Sequence, residues 1–207
     1  FNPEIDREAL AAYAQYGYVP SPLCIYRHAR KLEPGCALVI RPDGSVTTER
    51  YWDAREVAAR GLANPIPASA PEAVEQLDVL LRRAVASRMI ADVPLGAFLS
   101  GGIDSTTIVS LMQAQSSRPV RTFTIGFRED AYDEAKAAKE VARHLGTDHT
   151  ELYVAPDEAR AVIPRLADLY DEPFADSSEI PTFLVSQLAR QHVTVSLSGD
   201  GGDELFA

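Results

Sequence analysis

Leu95-Gly96-Ala97-Phe98-Leu99-Ser100-Gly101-Gly102-Ile103-Asp104-Ser105 is the stretch on which the fold turns. Its first five residues are apolar and short enough for a buried strand, and the spacing predicts a helix over 105–115. Between them, two glycines let the backbone turn tightly and approach a ligand with no Cβ in the way. The following helix points its free N–H groups and positive dipole end at the loop. Ser100 and Ser105 add hydroxyls. Such a turn can cradle a phosphate or pyrophosphate, although it lacks the Gly-Lys-Ser/Thr ending of a Walker A loop. At ordinary residue frequencies the five fixed positions of Ser-Gly-Gly-x-Asp-Ser recur by chance in roughly one window per million, so background composition does not explain them. The plainer alternative is a Ser/Gly-rich turn with a helix cap.

Asp104 divides two readings. A carboxylate beside phosphates is repulsive unless a cation intervenes, and Mg²⁺ bridges carboxylates and phosphate oxygens. An Asp in a first helical turn also simply favours the dipole.

Outward from this loop, apolar strands alternate with helices. Strands are expected at 121–127, 150–154 and 193–197. Helices are expected at 133–145 (stopped by Gly146), at 157–170 (bent near Pro164) and at 181–191. This alternation predicts an α/β fold, a doubly wound parallel sheet. Ligands in such sheets bind beyond the carboxyl ends of the strands, which points to the loops after Leu99, Phe127 and Leu197.

The last of these reads Ser198-Gly199-Asp200-Gly201-Gly202-Asp203-Glu204. Its glycines again permit close approach, and Asp203 is a second candidate Mg²⁺ ligand. An acidic turn or a Ca²⁺ loop is the alternative, but the spacing of an EF-hand is absent. Asp104, Asp200, Asp203 and Glu204 are expected to converge. Backbone at Ile125 and Gly126 either meets an adenine or belongs to an ordinary buried strand. The loop 171–178, with Asp176, either lines a site for an amino-bearing substrate or is a helix cap and turn. His28, His144, His149 and His192 show no metal-ligand grouping and read as structural.

Upstream, 5–16 reads as a helix capped by Asp6, and 37–48 as a hairpin around Pro42-Asp43-Gly44. Residues 54–71 are rich in Ala, Pro and Gly with little periodicity, and read as a linker. Ser69-Ala70-Pro71-Glu72 then opens a helix as a capping box.

The 207 residues carry a net charge of −10, and 46% of them are hydrophobic and 24% charged. This is globular composition, neither disordered nor fibrous. The acidic balance argues against nucleic-acid binding, and the longest uncharged run, 9–26, is broken by Gly and Pro and does not suit a membrane span. Cys24 and Cys36 with no leader suggest reduced thiols and a cytoplasmic location. The opening Phe1 and the end at Ala207 both suggest a chain cut within a longer pattern.

These motifs resemble a family. The run 92–105, from Asp92-Val93-Pro94 through Asp104-Ser105, closely resembles the pyrophosphate loop of glutamine-hydrolysing asparagine synthetases, and Ser198 to Phe206 resembles their second acidic loop. Tyr132-Asp133-Glu134 and the run from His144 to His149 are similar as well. Tyr18-Val19-Pro20, the run from Lys31 to Gly35 and Tyr51-Trp52-Asp53 resemble the end of the family's glutaminase domain and its junction. The resemblance implies a glutaminase-domain segment over 1–53, a linker over 54–71, and over 72–207 an ATP-pyrophosphatase domain of the PP-loop, adenine nucleotide α-hydrolase-like kind. It implies ATP-dependent amidation of aspartate through β-aspartyl-AMP, with ammonia from glutamine. Leu99, Ser100, Gly101, Gly102, Asp104, Ser105, Ile125, Ser198 and Gly199 would then bind ATP and pyrophosphate. Asp104 and Asp203 would hold Mg²⁺, and Asp200, where many members carry Glu, would be catalytic. Asp176 and Glu204 are candidates on the substrate side.

The partners implied are small molecules, without nucleic acid or membrane, and a homodimer is an option for the full-length enzyme. The glutaminase nucleophile and a downstream catalytic lysine are expected outside this stretch, so glutamine-dependent turnover is not expected of it alone. Rival expectations are another acyl-adenylating amidotransferase, such as a β-lactam synthetase, or a nucleotide-binding module without turnover.

Overall fold

A computed structural model describes residues 3–127 and 134–206. The chain forms two compact units, Phe1–Ser69 with Leu166–Asp176, and Ala70–Arg165 with Ser177–Ala207.

In the first unit, Asp6 caps α1 (Arg7–Tyr16), its carboxylate accepting from the amides of Glu8 and Ala9 at 2.8 and 3.3 Å. Gly17 closes the helix in the left-handed region. Ala9, Val19 and Ile25 form a small buried core. The hairpin pairs β1 (Cys36–Ile40) with β2 (Val46–Arg50), from Cys36 opposite Arg50 to Ile40 opposite Val46. Cys24 and Cys36 are free thiols.

Within the stretch expected as a linker, Ala54–Ala63 is a helix, α2, capped by Asp53 through the amides of Arg55 and Glu56. None of its residues is buried. A helix that buries no stripe shows no apolar period, so only its alanines and its cap could have announced it.

The second unit opens with α3 (Ala70–Arg88) and holds four parallel strands: β3 (Leu95–Phe98), β4 (Arg121–Phe127), β5 (Asp148–Val154) and β6 (Val195–Leu197). Their order is β5-β4-β3-β6, with Gly96 opposite both Arg121 and Ser196. The helices are α4 (Ile103–Gln115), α5 (Ala135–Leu145), α6 (Pro156–Val162) and α8 (Glu179–Arg190). The helix expected to bend near Pro164 does so: a 3-10 turn at Ile163–Arg165 separates α6 from α7 (Leu166–Leu169), and α7 belongs to the first unit. A final short helix, α9, spans Gly202–Phe206.

Strand alternation divides the core. Ala97 and Leu99 pack with Val85 of α3, Val109 and Met112 of α4, and Ala138 and Ala142 of α5. Phe98, one residue out of phase, packs with Phe123, Leu188, Ala189 and Val193 on α8's side. Helices therefore cover both faces of a parallel sheet, the architecture expected from the alternation.

The helix expected from Ser105 begins two residues earlier, at Ile103, so Asp104 lies in the first helical turn. The expected start of α5 at Asp133, and the Tyr132-Asp133 motif, lie outside the described residues, as does the chain directly after Phe127. His149 is half-buried, its Nδ1 2.8 Å from the Thr122 hydroxyl, which is in turn 3.0 Å from the Thr147 hydroxyl. His192 stacks on Phe123 with centroids 5.7 Å apart. Among the described residues no helix is long and apolar enough to cross a membrane.

Candidate functional site

β3 is the first strand of the sheet. The chain then adds β4 and β5 on one side of it and returns to place β6 on the other. The winding reverses between β3 and β6, and a crevice at the carboxyl ends of such a pair is where open α/β sheets take ligands. Both glycine-rich loops emerge there, Ser100–Gly102 after β3 and Ser198–Gly201 after β6.

The first loop is held by its own hydroxyls. The Ser100 amide donates to Ser105 Oγ at 3.2 Å, the two hydroxyls lie 2.9 Å apart, and the Gly102 amide donates to Ser100 Oγ at 3.2 Å. Gly101 has φ +81°, and a Cβ there would lie 2.8 Å from both Ala137 Cβ and the Ala138 amide nitrogen. Conformation and space both require glycine. Gly102 caps α4 with no side-chain hydrogen bond, so the first-turn amides face the loop without a capping oxygen. Ser105 is buried.

The second loop packs on the first. A Cβ on Gly199 would lie 2.6 Å from the Ser105 amide nitrogen and 2.8 Å from the Asp104 carbonyl carbon. Gly202 sits directly against the Asp104 carboxylate. Sequence reasoning flagged these glycines for ligand approach; what each meets here is the opposite loop. The Ser198 hydroxyl donates to Asp200 Oδ2 at 3.0 Å, and the Gly202 amide donates to the Gly199 carbonyl.

Asp104, Asp200, Asp203 and Glu204 do not make up a ready metal-binding group: among the described residues no set of three or more His, Cys, Asp or Glu that could hold a metal is found. Asp200 is engaged with Ser198, and Asp203 and Glu204 are exposed in the first turn of α9. Successive helical residues diverge by about 100°, so Asp203 and Glu204 leave the helix in different directions. Asp104, partly buried between the loops, is the carboxylate that both loops frame. Mg²⁺ needs only one or two protein carboxylates, with phosphate oxygens and water supplying the rest, so a donor set of Asp104 and Asp203 suits it chemically.

The remaining candidates divide. The Leu99 side chain lies in the core, and its amide donates to the Phe123 carbonyl at 3.0 Å. Ile125, partly buried on β4, pairs in register with Leu152. Asp176 is exposed and is the last residue of the first unit's returning segment. An open cleft lined by Leu95, Val120, Arg121, Thr147 and Asp148 lies at the opposite, amino ends of the strands. It contains none of the loop residues. Sequence reasoning named His149 only as structural and did not join it and Thr147 to Thr122, which lies 25 and 27 positions before them.

A family model described as asparagine synthase matches residues 76–207. Asparagine synthetase [glutamine-hydrolyzing] 1 of Bacillus subtilis is 38% identical over 98% of this chain and 31% of its own length. A putative asparagine synthetase [glutamine-hydrolyzing] of Mycobacterium bovis is 40% identical over the whole chain and 31% of its own length. The human asparagine synthetase [glutamine-hydrolyzing] is 31% identical over 81% of the chain and 33% of its own length. The chain thus spans about a third of the length of these curated relatives. Among solved structures, NMN synthetase from Francisella tularensis is a distant likeness, at TM-score 0.40 and 17% identity over 62% of this chain and 53% of that one. With the matched model covering both glycine-rich loops and the sheet that carries them, the chain belongs to the asparagine synthase family.

Proposed function

We propose that this chain carries the ATP-binding part of a glutamine-dependent asparagine synthetase, whose reaction converts aspartate to asparagine. The observation that carries the reading is the pair of glycine-rich loops on neighbouring parallel strands, packed on one another around Asp104 at the point where the sheet reverses. The relatives' names support the substrate.

In this reading the aspartate β-carboxylate attacks the α-phosphorus of ATP, and pyrophosphate leaves with the electrons of the broken P–O bond. Ammonia released from glutamine then attacks the acyl carbon of β-aspartyl-AMP, AMP leaves, and the ammonium proton passes to solvent or a nearby base. The amides of Gly101, Gly102 and the first turn of α4, with the hydroxyls of Ser100 and Ser105, would bind pyrophosphate oxygens at the positive helix end. Ser198 and Gly199 would border the nucleotide, and Ile125 would present backbone beside the adenine. Asp104 and Asp203 would hold Mg²⁺, which when bound offsets the charge between phosphates and carboxylates. Asp200 would act on the acyl-adenylate, and Glu204 and Asp176 on the substrate side. Residues 1–53 belong in this reading to the glutaminase domain, and the sheet to the PP-loop nucleotide fold.

The test is exchange of labelled pyrophosphate into ATP by the intact protein. Exchange that requires aspartate is expected. Exchange driven only by another carboxylic acid would assign a different acyl substrate, and absence of exchange with every acid would leave a nucleotide-binding module.

A further inference from the structure

At the amino ends of its strands, away from the glycine-rich loops, the second unit carries a cleft of about 920 Å³. Small-molecule sites have this size, with an apolar floor and a few fixed polar groups. Here Met112 and Val120 are buried, and Met89 and Leu95 are half-buried against the same core. Arg118, Arg121 and Asp148 stand exposed along the cleft. Arg121 is engaged: its Nη1 donates to the His192 carbonyl at 2.7 Å, and its Nε lies 3.9 Å from Asp148 Oδ2. In Arg118 the backbone is held and the guanidinium is not. The Ser116 hydroxyl donates to the Arg118 carbonyl at 2.7 Å and accepts from the Arg118 amide at 3.2 Å. The Gln113 carboxamide donates to the same carbonyl at 3.3 Å and accepts from the Val120 amide at 2.8 Å. The connection from α4 to β4 is therefore fixed on both sides of Arg118, while its guanidinium makes no hydrogen bond or ion pair among the described residues.

We propose that this cleft binds a small organic acid with an aliphatic body, the Arg118 guanidinium taking its carboxylate and Met89, Leu95, Met112 and Val120 its chain. A guanidinium presents a planar fork that matches a carboxylate through two parallel hydrogen bonds. Fixing the Arg118 backbone beforehand removes part of the ordering cost of binding. Asp148 offsets Arg121, so the uncompensated positive charge along the cleft is that of Arg118. A cation near the carboxyl end of α4 also offsets the helix dipole, but that role calls for neither an apolar floor nor a fixed backbone. The site contains no residue of the two glycine-rich loops and stands independently of the proposed reaction.

The test is titration of hexanoate into the intact protein, followed at the methyl resonances of Met89, Leu95, Met112 and Val120, with acetate, hexanol and inorganic phosphate as comparisons. Saturable shifts at these methyls are expected with hexanoate. Acetate and inorganic phosphate lack the chain and hexanol lacks the charge, and each is expected to bind at least about tenfold more weakly. Arg118→Gln is expected to weaken hexanoate binding about tenfold, and Arg118→Lys, which keeps the charge and loses the fork, about threefold. Both variants are expected to keep the wild-type unfolding midpoint, because the Arg118 side chain supports nothing in the fold. Absence of saturable shifts with hexanoate, or shifts confined to methyls elsewhere in the molecule, would overturn the proposal. So would acetate, hexanol or phosphate binding as tightly as hexanoate, or undiminished hexanoate affinity in Arg118→Gln.

Discussion

Gly101 and Gly199 do different work at the same crevice. Gly101 is held at φ +81° with α5 against it, and any side chain there would meet both strain and Ala137. Gly101→Ala is expected to cost about 1–3 kcal/mol of stability, measured by urea unfolding. Gly199 has no unusual φ; its space is taken by the backbone of Asp104 and Ser105. Backbone cannot swing aside as a side-chain tip can, so Gly199→Ala must push the two loops apart. It is expected to weaken MgATP binding at least tenfold while circular dichroism stays native-like, and unchanged affinity would show that loop contact does not set the site.

His149 belongs to the same scale. Burial pushes its pKa below the ordinary value of 6.5, and its Nε2 is buried with no hydrogen-bond partner. The unfolded chain therefore binds the proton more readily, between the depressed value and about 6.5. The stability this group contributes is complete above about pH 6.5 and is lost as the pH falls toward the folded-state value. Wild type is expected to lose more stability than His149→Asn between about pH 7 and pH 5 in urea titrations; parallel curves would refute the assignment.

At the scale of elements, burial made most of the sheet unit legible, while the exposed β1–β2 hairpin was legible through its Pro42-Asp43-Gly44 turn. β3, β4, α4, α5 and α8 were readable because each buries residues that leave a pattern in the sequence. α2 was not, because it buries nothing. Besides its alanines its signal is Asp53, whose carboxyl is held below the usual range by hydrogen bonds from Arg55 and by that charge. Asp53→Ala is expected to speed amide exchange throughout Ala54–Ala63 and leave β4 untouched. α4 starts at Ile103 because extended Gly102 serves as its cap, and an exposed isoleucine is no capping signal. In the site, the two loops were legible as glycine clusters, but their mutual packing was not. Nor, in the first unit, was the contact of Glu172 with the Ile25 amide, a pairing across 147 positions that no local pattern encodes.

For the whole molecule, a net charge of −10 sets a field that repels an anionic nucleotide, so the proposed ATP binding would have to be won locally. In the proposed reading the means are the amides and hydroxyls of the first loop, the positive end of α4, and a cation that Asp104 would share with the phosphates. Asp104 is where that reading brings these together, so it should separate nucleotide binding from mere folding. Calorimetric titration of ATP with Mg²⁺ into the wild type and into Asp104→Ala is the most direct measurement. One site per chain is expected in the wild type, weakened at least tenfold both by Asp104→Ala and by removal of Mg²⁺, with unfolding midpoints close to one another. Equal affinity in the two proteins, or binding indifferent to Mg²⁺, would contradict the assignment of the β3–β6 crevice as the nucleotide site.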